Sequence, residues 1–156
     1  MVSVEIPGTG AIELEYLLLD YNGTLALDGN LIATVTERLL KLSQSLKIIV
    51  LTADTFGLVR VMCESLPLEI RIVDPLEGGL EKGRIVKELG PDRVVAIGNG
   101  YNDRLMLKEC VLGILIIGDE GCSIETMQNA DVAVKNIETA LDLLIYPKRL
   151  IATLRA

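Results

Sequence analysis

Short apolar runs that close on a polar residue alternate along this chain with segments of helical periodicity. Residues 2–6 alternate, Pro7-Gly8-Thr9-Gly10 is turn chemistry, and residues 11–15 alternate again, which predicts an opening β-hairpin. Its second strand leads into the run Tyr16-Leu17-Leu18-Leu19, which ends at Asp20 and is followed by Asn22-Gly23. This stretch predicts a buried strand that delivers Asp20 to the C-terminal edge of a sheet, although taken alone it reads equally well as an Asx turn. Leu25-Ala26-Leu27, Asp28-Gly29-Asn30 and Leu31-Ile32 then predict a small hairpin, a flap beside Asp20.

Thr34 and Glu37 have capping-box spacing, and Val35, Leu39, Leu42 and Leu46 share one helical face, so a helix is expected over 35–46. Residues 47–52 form a near-continuous apolar run ending in Thr52, the pattern of a strand buried on both faces. A helix over 56–66 ends at Pro67, a strand covers 68–73, and 74–79 is a loop. The helix over 80–89 carries Ile85, Val86 and Leu89 on one face and stops at Gly90-Pro91. A strand over 93–97, a tight loop over 98–103, a helix over 104–110 and a strand over 111–117 follow. A short helix from Ser123, a strand over 131–134 and a helix from Ile137 to about Tyr146 close the pattern, with a helical tail beyond Pro147. Strands and helices alternating at this spacing predict an α/β fold, a mainly parallel sheet with right-handed crossovers and helices on both faces. With 156 residues, no linker and no repeat, one domain spanning 1–156 is expected.

Composition narrows the functions. No apolar stretch approaches a membrane span and the N-terminus has no secretion signal, so a cytoplasmic protein without a membrane partner is expected. A net charge of -7, with 15 Lys and Arg in no dense run, argues against nucleic acid held by a basic patch. Histidine is absent, which removes Ser-His-Asp triads, Cys-His pairs and His-ligated zinc together. Catalysis must then run on carboxylates, Lys, hydroxyls or thiols. Cys63, Cys110 and Cys122 lack metal-ligand spacing and are expected to be reduced, buried thiols of an intracellular protein, with no function assigned to them.

The predicted strand ends present Asp20, Thr52 and the pair Asn99 and Asp103 on one rim, and Lys82 opens the helix after the third strand of the sheet. That set suits phosphoryl transfer. A carboxylate can attack phosphorus, a hydroxyl and an ammonium can hold the equatorial oxygens, and acidic groups can hold Mg²⁺, which accepts oxygen ligands and keeps several waters.

These residues resemble the four motifs of the haloacid dehalogenase superfamily of phosphotransferases. The first, an apolar strand followed by Asp-x-Asp-x-Thr, is matched by Asp20-Tyr21-Asn22-Gly23-Thr24; the second, a strand ending in Ser or Thr, by Thr52. The third, a Lys at a helix start, is matched by Lys82, and the fourth, Gly-Asp-Gly-x-Asn-Asp, by residues 98–103. The chain resembles most the phosphorylation domain of P-type ATPases, as a soluble, stand-alone relative. The resemblance implies a three-layer Rossmann-like fold without a cap domain. It also implies Asp20 as nucleophile, with Asn22, Thr52 and Lys82 as the other catalytic positions. Gly23, Thr24, Thr52, Ala53, Lys82 and Asn102 would contact the substrate, and Asp20, the Asn22 carbonyl, Asn99 and Asp103 would surround Mg²⁺.

Two positions depart from the pattern. Asn22 stands where the superfamily's phosphatases have a general acid and base, so hydrolysis of an aspartyl phosphate is expected to be slow. Asn99 stands where a carboxylate usually binds the metal, which removes one charge. Both are Asn-Gly, the dipeptide most prone to deamidation, and conversion of either would add a carboxyl to the rim. The leading expectation is therefore a slow Mg²⁺-dependent phosphotransferase or phosphohydrolase. The alternative is a catalytically impaired module that binds phosphate or a phosphorylated partner. A dehalogenase lacks room for its cap, a dinucleotide fold lacks the third Gly after Gly98 and Gly100, and a receiver domain lacks an acidic pair upstream of Asp20. The substrate would be a phosphorylated small molecule or macromolecule. Without a cap, the flap, a large substrate or a second copy in a homo-oligomer would have to cover the rim.

Overall fold

Residues 1–54 and 57–156 are described by the computed structural model. The chain opens with β1 (Val2–Ile6) and β2 (Gly10–Leu14), an antiparallel hairpin separated by a single residue from β3 (Tyr16–Asp20). The flap is β4 (Ala26–Leu27) and β5 (Asn30–Leu31), joined through Asp28 and Gly29 at φ 50° and 80°. Positive φ at both central residues suits the right-handed strand twist and explains the Asp-Gly pair. The Tyr21 hydroxyl donates to Gly29 O at 3.1 Å and pins the flap to the end of β3.

After α1 (Val35–Leu42), β6 (Lys47–Thr52), α2 (Leu58–Met62) and β7 (Glu69–Ile72), the chain returns through α3 (Gly78–Leu89) to β8 (Val94–Gly98). It continues as α4 (Arg104–Glu109), β9 (Leu112–Ile116), α5 (Ile124–Met127), β10 (Val132–Val134), α6 (Ile137–Ile145) and α7 (Pro147–Leu154). The six-stranded sheet has the order β10-β9-β8-β3-β6-β7, with every described pairing parallel. The expected three-layer α/β fold is the one observed.

Side chains alternate across the sheet and divide the core in two. Leu17, Leu19, Ile48, Val50, Val95 and Ile97 pack toward Val35, Leu39, Leu141 and Leu144 of α1 and α6. Leu18, Ile49, Leu51, Val94 and Ala96 pack toward Val86, Met106 and Leu107 of α3 and α4. Each such aliphatic side chain taken fully out of water stabilises the fold by roughly 1.5–3 kcal/mol. The strand-end chemistry is thus carried by elements whose positions are set by apolar packing on both faces.

Local expectations fail where tertiary contacts compete. Thr34 makes no capping hydrogen bond; its hydroxyl donates instead to Glu138 Oε1 of α6 at 2.5 Å, beside the Arg38–Asp142 ion pair at 2.8 Å. The helix α1 stops at Leu42 rather than Leu46, with Ser43 at its C-cap and the Ser43 hydroxyl donating to Leu40 O at 2.8 Å. Leu46 still reaches the core because its N–H donates to Leu42 O at 2.8 Å across the turn. The expected helix start at Phe56 lies outside the described residues, and α2 ends at Met62, short of Leu66. Asp54 Oδ2 accepts the Val59 N–H at 2.9 Å, which anchors α2.

The cysteines are free, and the expectation of three buried thiols holds for Cys63 and Cys110 but not for Cys122, which is partly exposed. Burial pushes the Cys63 thiol up, and burial with Asp131 nearby pushes the Cys110 thiol up to about 12. Because the thiolate is the nucleophile, iodoacetamide at mildly alkaline pH is expected to modify Cys122 alone in the folded protein and all three thiols in urea. Peptide mapping reads this, and labelling of Cys110 as fast as Cys122 in buffer would contradict the packing described.

Candidate active site

The ends of β3, β6 and β8 lie side by side, Asp20 opposite Leu51 and Leu19 opposite Ile97, so Asp20, Thr52 and the loop after Gly98 share one rim. The chain leaves β3 toward β6 on one side and returns at β8 on the other. This is the topological switch point, where open α/β sheets leave a crevice at the C-terminal strand ends.

Lys82, in the second turn of α3, is 1 % exposed and extends its ammonium between two carboxylates, with Nζ donating to Asp20 Oδ1 and Asp103 Oδ1 at 2.7 Å each. The second oxygen of Asp103 accepts the main-chain N–H groups of Asn99 and Gly100, both at 3.0 Å. Asp103 is fully buried, and both its oxygens are engaged in fixing the loop and the ammonium. Gly98 is required there, because a Cβ would stand 2.5 Å from Asp103 Cγ. Asp20 Oδ2 accepts from the Thr24 hydroxyl at a long 3.4 Å.

Two carboxylates sharing one ammonium set the electrostatics. Burial, then the neighbouring Asp103 charge, pushes the Asp20 carboxyl up to about 7, against the pull of Lys82. Burial draws the Lys82 ammonium down, but Asp20 and Asp103 together outweigh it and hold it above its ordinary value. A cation placed beside Asp20 would reverse the first shift by favouring the carboxylate.

Thr52 is 2 % exposed, and its Oγ1 is the buried side-chain oxygen without a hydrogen-bond partner among the described residues. A buried hydroxyl left unpaired costs about 1–3 kcal/mol. It stands at the sheet edge next to Asp20, where an incoming oxygen-rich group would satisfy it.

Asn99 is 8 % exposed and is held at three points. Its Nδ2 donates to Gly121 O at 3.1 Å, its carbonyl accepts the Ser123 N–H at 2.9 Å, and its N–H binds Asp103. The loop over 118–123 thus buttresses the site, a contribution invisible in the motifs; the only sequence signal was the Gly118 and Gly121 pair. Gly23, at φ 76°, lies so close to Asn99 that a Cβ would meet its Nδ2 at 2.4 Å. Asn22 is exposed at the mouth, on a turn closed by Gly23 N–H donating to Ala26 O and Ala26 N–H to Tyr21 O, both at 2.9 Å. Ala53 and Asn102 are exposed at the edge of the crevice. A cavity of about 490 Å³ lies against the Gly23-Thr24 turn, between the flap and the start of α6, but Asp20 does not line it.

Mg²⁺ suits the donors present. Asp20 supplies a carboxylate, the Asn22 carbonyl and the Asn99 amide oxygen are neutral hard donors, and Mg²⁺ needs one or two carboxylates with waters for the rest. No group of three or more Asp, Glu, His or Cys side chains is placed to hold a metal ion among the described residues. The set is therefore poor in charge and expected to bind Mg²⁺ weakly.

No known protein-family profile matches the chain. The uncharacterized protein MJ0073 of Methanocaldococcus jannaschii is 46% identical over 80 residues, covering 49% of this chain and 86% of that protein. Among solved structures, the 3-deoxy-D-manno-octulosonate 8-phosphate phosphatase of Moraxella catarrhalis, in complex with magnesium, phosphate and KDO, superposes with a TM-score of 0.71. It is 16% identical, with 91% of this chain and 94% of that one covered. The cobalt-bound form of the deoxy-D-mannose-octulosonate 8-phosphate phosphatase YrbI from Haemophilus influenzae gives a TM-score of 0.70 at 13% identity, over 85% and 88% of the two chains. A zinc-transporting PIB-type ATPase in its E2.Pi state matches with a TM-score of 0.60 and 21% identity, over 79% of this chain and 20% of that protein.

Proposed function

This chain has the haloacid dehalogenase fold and belongs to one family with the uncharacterized Methanocaldococcus protein, and from that premise we propose that it is a slow, Mg²⁺-dependent phosphotransferase or phosphohydrolase acting through Asp20. Asp20 Oδ2 attacks phosphorus, because Oδ1 is held by Lys82 at 2.7 Å while the Thr24 hydroxyl reaches Oδ2 only at a long 3.4 Å. The new O–P bond forms as the bond to the leaving group breaks, and the product is an acyl phosphate on Asp20. Thr52 Oγ1 and Lys82 Nζ donate to the equatorial oxygens, where charge accumulates. When bound, Mg²⁺ neutralises charge on the phosphoryl oxygens, and Asp20, the Asn22 carbonyl and Asn99 are the residues that would hold it. Asp103 stays engaged with Lys82 and the loop, and acts by positioning them.

The observation that carries this reading is the unpartnered, buried Thr52 hydroxyl at the same rim as the Asp20–Lys82 pair. Structural packing alone would leave no reason for a donor there without an acceptor. A phosphorylated small molecule is the substrate class proposed, supported by the fold shared with 3-deoxy-D-manno-octulosonate 8-phosphate phosphatase.

A binding-only reading draws on the charge-poor donor set, in which Asn99 replaces a carboxylate. One measurement separates the two. Intact mass is recorded after incubation with Mg²⁺ and a small phosphoryl donor such as acetyl phosphate, for the wild type and for Asp20→Ala. A phosphate adduct on the wild type alone is expected, and its persistence after donor removal reflects the missing acid-base group at residue 22. Neither adduct nor donor consumption would leave the binding-only reading standing.

A further inference from the structure

We propose that Asn22 is a site of spontaneous covalent modification that converts the mouth of the site from amide to carboxyl, whereas Asn99, in the same dipeptide context, is protected by the fold. The second half of this inference, its effect on turnover, rests on the function proposed above; the modification itself does not.

The reaction needs a flexible Asn whose following nitrogen can reach its side chain. The Gly23 nitrogen attacks Asn22 Cγ, a C–N bond forms, and the side-chain amide departs as ammonia, carrying the proton from Gly23 N–H. The resulting five-membered imide is opened by water at either carbonyl, giving Asp or isoaspartate. Water is the only co-reactant and no electrons are transferred. Glycine after the Asn offers no Cβ to hinder the approach, and asparagine is among the thermolabile residues for this reason.

In both Asn-Gly pairs the attacking nitrogen donates a hydrogen bond, but the pairs differ in the exposure of the Asn, in the anchoring of its amide and in what that nitrogen is bonded to. Asn22 is exposed, and a single main-chain bond, from Gly23 N–H to Ala26 O at 2.9 Å, restrains the attacking nitrogen within a turn at the solvent edge. Asn99 is buried with its amide anchored on Gly121 O at 3.1 Å. The nitrogen that would attack it, that of Gly100, donates at 3.0 Å to the buried Asp103 carboxylate, which is itself held by Lys82. Opening the second site means dismantling the catalytic cluster; opening the first means loosening one turn.

The labile pair cannot be silenced at Gly23. Its φ of 76° and the 2.4 Å approach of a Cβ to Asn99 Nδ2 exclude another residue without strain. The fold thus fixes the reactive partner, and chemical stability depends on residue 22 alone. A carboxyl formed there would sit two residues beyond Asp20 on the exposed turn, where it can take a proton from water approaching the phosphorylated side chain.

The test is peptide mapping of fresh protein and of protein aged for weeks at mildly alkaline pH, with Asn22→Gln as control because its longer side chain closes the ring far more slowly. Alongside, hydrolysis of p-nitrophenyl phosphate with Mg²⁺ is measured on each sample. Expected is the mass gain of an amide-to-acid change at residue 22 with none at residue 99, and activity rising with the converted fraction in the wild type only. No gain at residue 22, or an equal gain at residue 99, overturns the proposal. A gain at residue 22 without any rise in activity upholds the modification and overturns its catalytic effect.

Discussion

On the mechanism proposed, Asn22→Asp is expected to shorten the lifetime of phosphorylated Asp20 by about 10²- to 10⁴-fold, the range that a positioned general acid or base contributes. Breakdown of the acyl phosphate requires water to attack phosphorus and to lose a proton as it does so. The Asn22 amide has no basic site to accept that proton, and the other ionisable groups of the cluster, Lys82 and Asp103, are locked to each other. The substitution is nearly isosteric, and residue 22 is exposed on a turn closed by main-chain hydrogen bonds, so folding is expected to be unaffected. The measurement is decay of the mass-detected adduct after donor removal, together with phosphate release in a single turnover. Asn22→Ala serves as control and is expected to decay like the wild type. Equal decay for Asp and Asn would mean that proton transfer does not limit breakdown, and the account of slow turnover would be wrong.

Lys82→Met is the second large effect, and it acts on folding as well as on chemistry. Methionine keeps the length and apolar stem but removes the charge that separates Asp20 from Asp103, leaving two buried carboxylates without a counter-ion. Removing one member of a buried ionic cluster typically costs about 3–5 kcal/mol. At this chain length each kcal/mol corresponds to roughly 2–4 °C in Tm, so thermal unfolding without metal is expected ~6–20 °C earlier. The pH dependence carries a sign. Burial and the like charge of Asp103 already hold the Asp20 carboxyl above its ordinary value, up to about 7, with Lys82 present. Loss of the ammonium drives protonation in the folded state further, so the native protein binds more protons than the unfolded chain and its stability rises as pH falls. The deficit relative to wild type is therefore expected to be largest above neutral pH and to shrink on acidification. A variant as stable as wild type at high pH would show that the cluster is not the buried ionic network described. Adduct formation is expected to be lost in the same variant, since on the proposed mechanism Lys82 also holds the phosphoryl oxygens, and Lys82→Arg should recover stability only in part because a planar guanidinium does not replace a point charge between two carboxylates.

Much of the architecture could be read along the chain because its causes are local. The runs at 16–19 and 47–51 could be buried strands only in a two-faced sheet, and the polar residue ending each run, Asp20 or Thr52, marked the active edge. The flap was visible for the same kind of reason, since Asp28-Gly29 supplies the two positive φ angles its turn needs. The limits of α1 were not legible. Thr34 had a local capping partner in Glu37, yet its hydroxyl went to Glu138, more than a hundred residues later.

The same division holds for the chemistry. Which residue types would meet at one rim, and that two of them are Asn, were settled by order and spacing, because parallel strands joined by right-handed crossovers bring successive strand ends to the same edge. Which atoms are free was decided only by packing in three dimensions. Asp20 Oδ2 has a long contact to Thr24 while both oxygens of Asp103 are tightly engaged, Thr52 keeps an unspent donor, and Asn22 lies exposed while Asn99 is clamped. Side-chain type follows from the chain, but hydrogen-bond saturation and access to water depend on neighbours that are distant in sequence, and those are set only when the sheet and its helices come together.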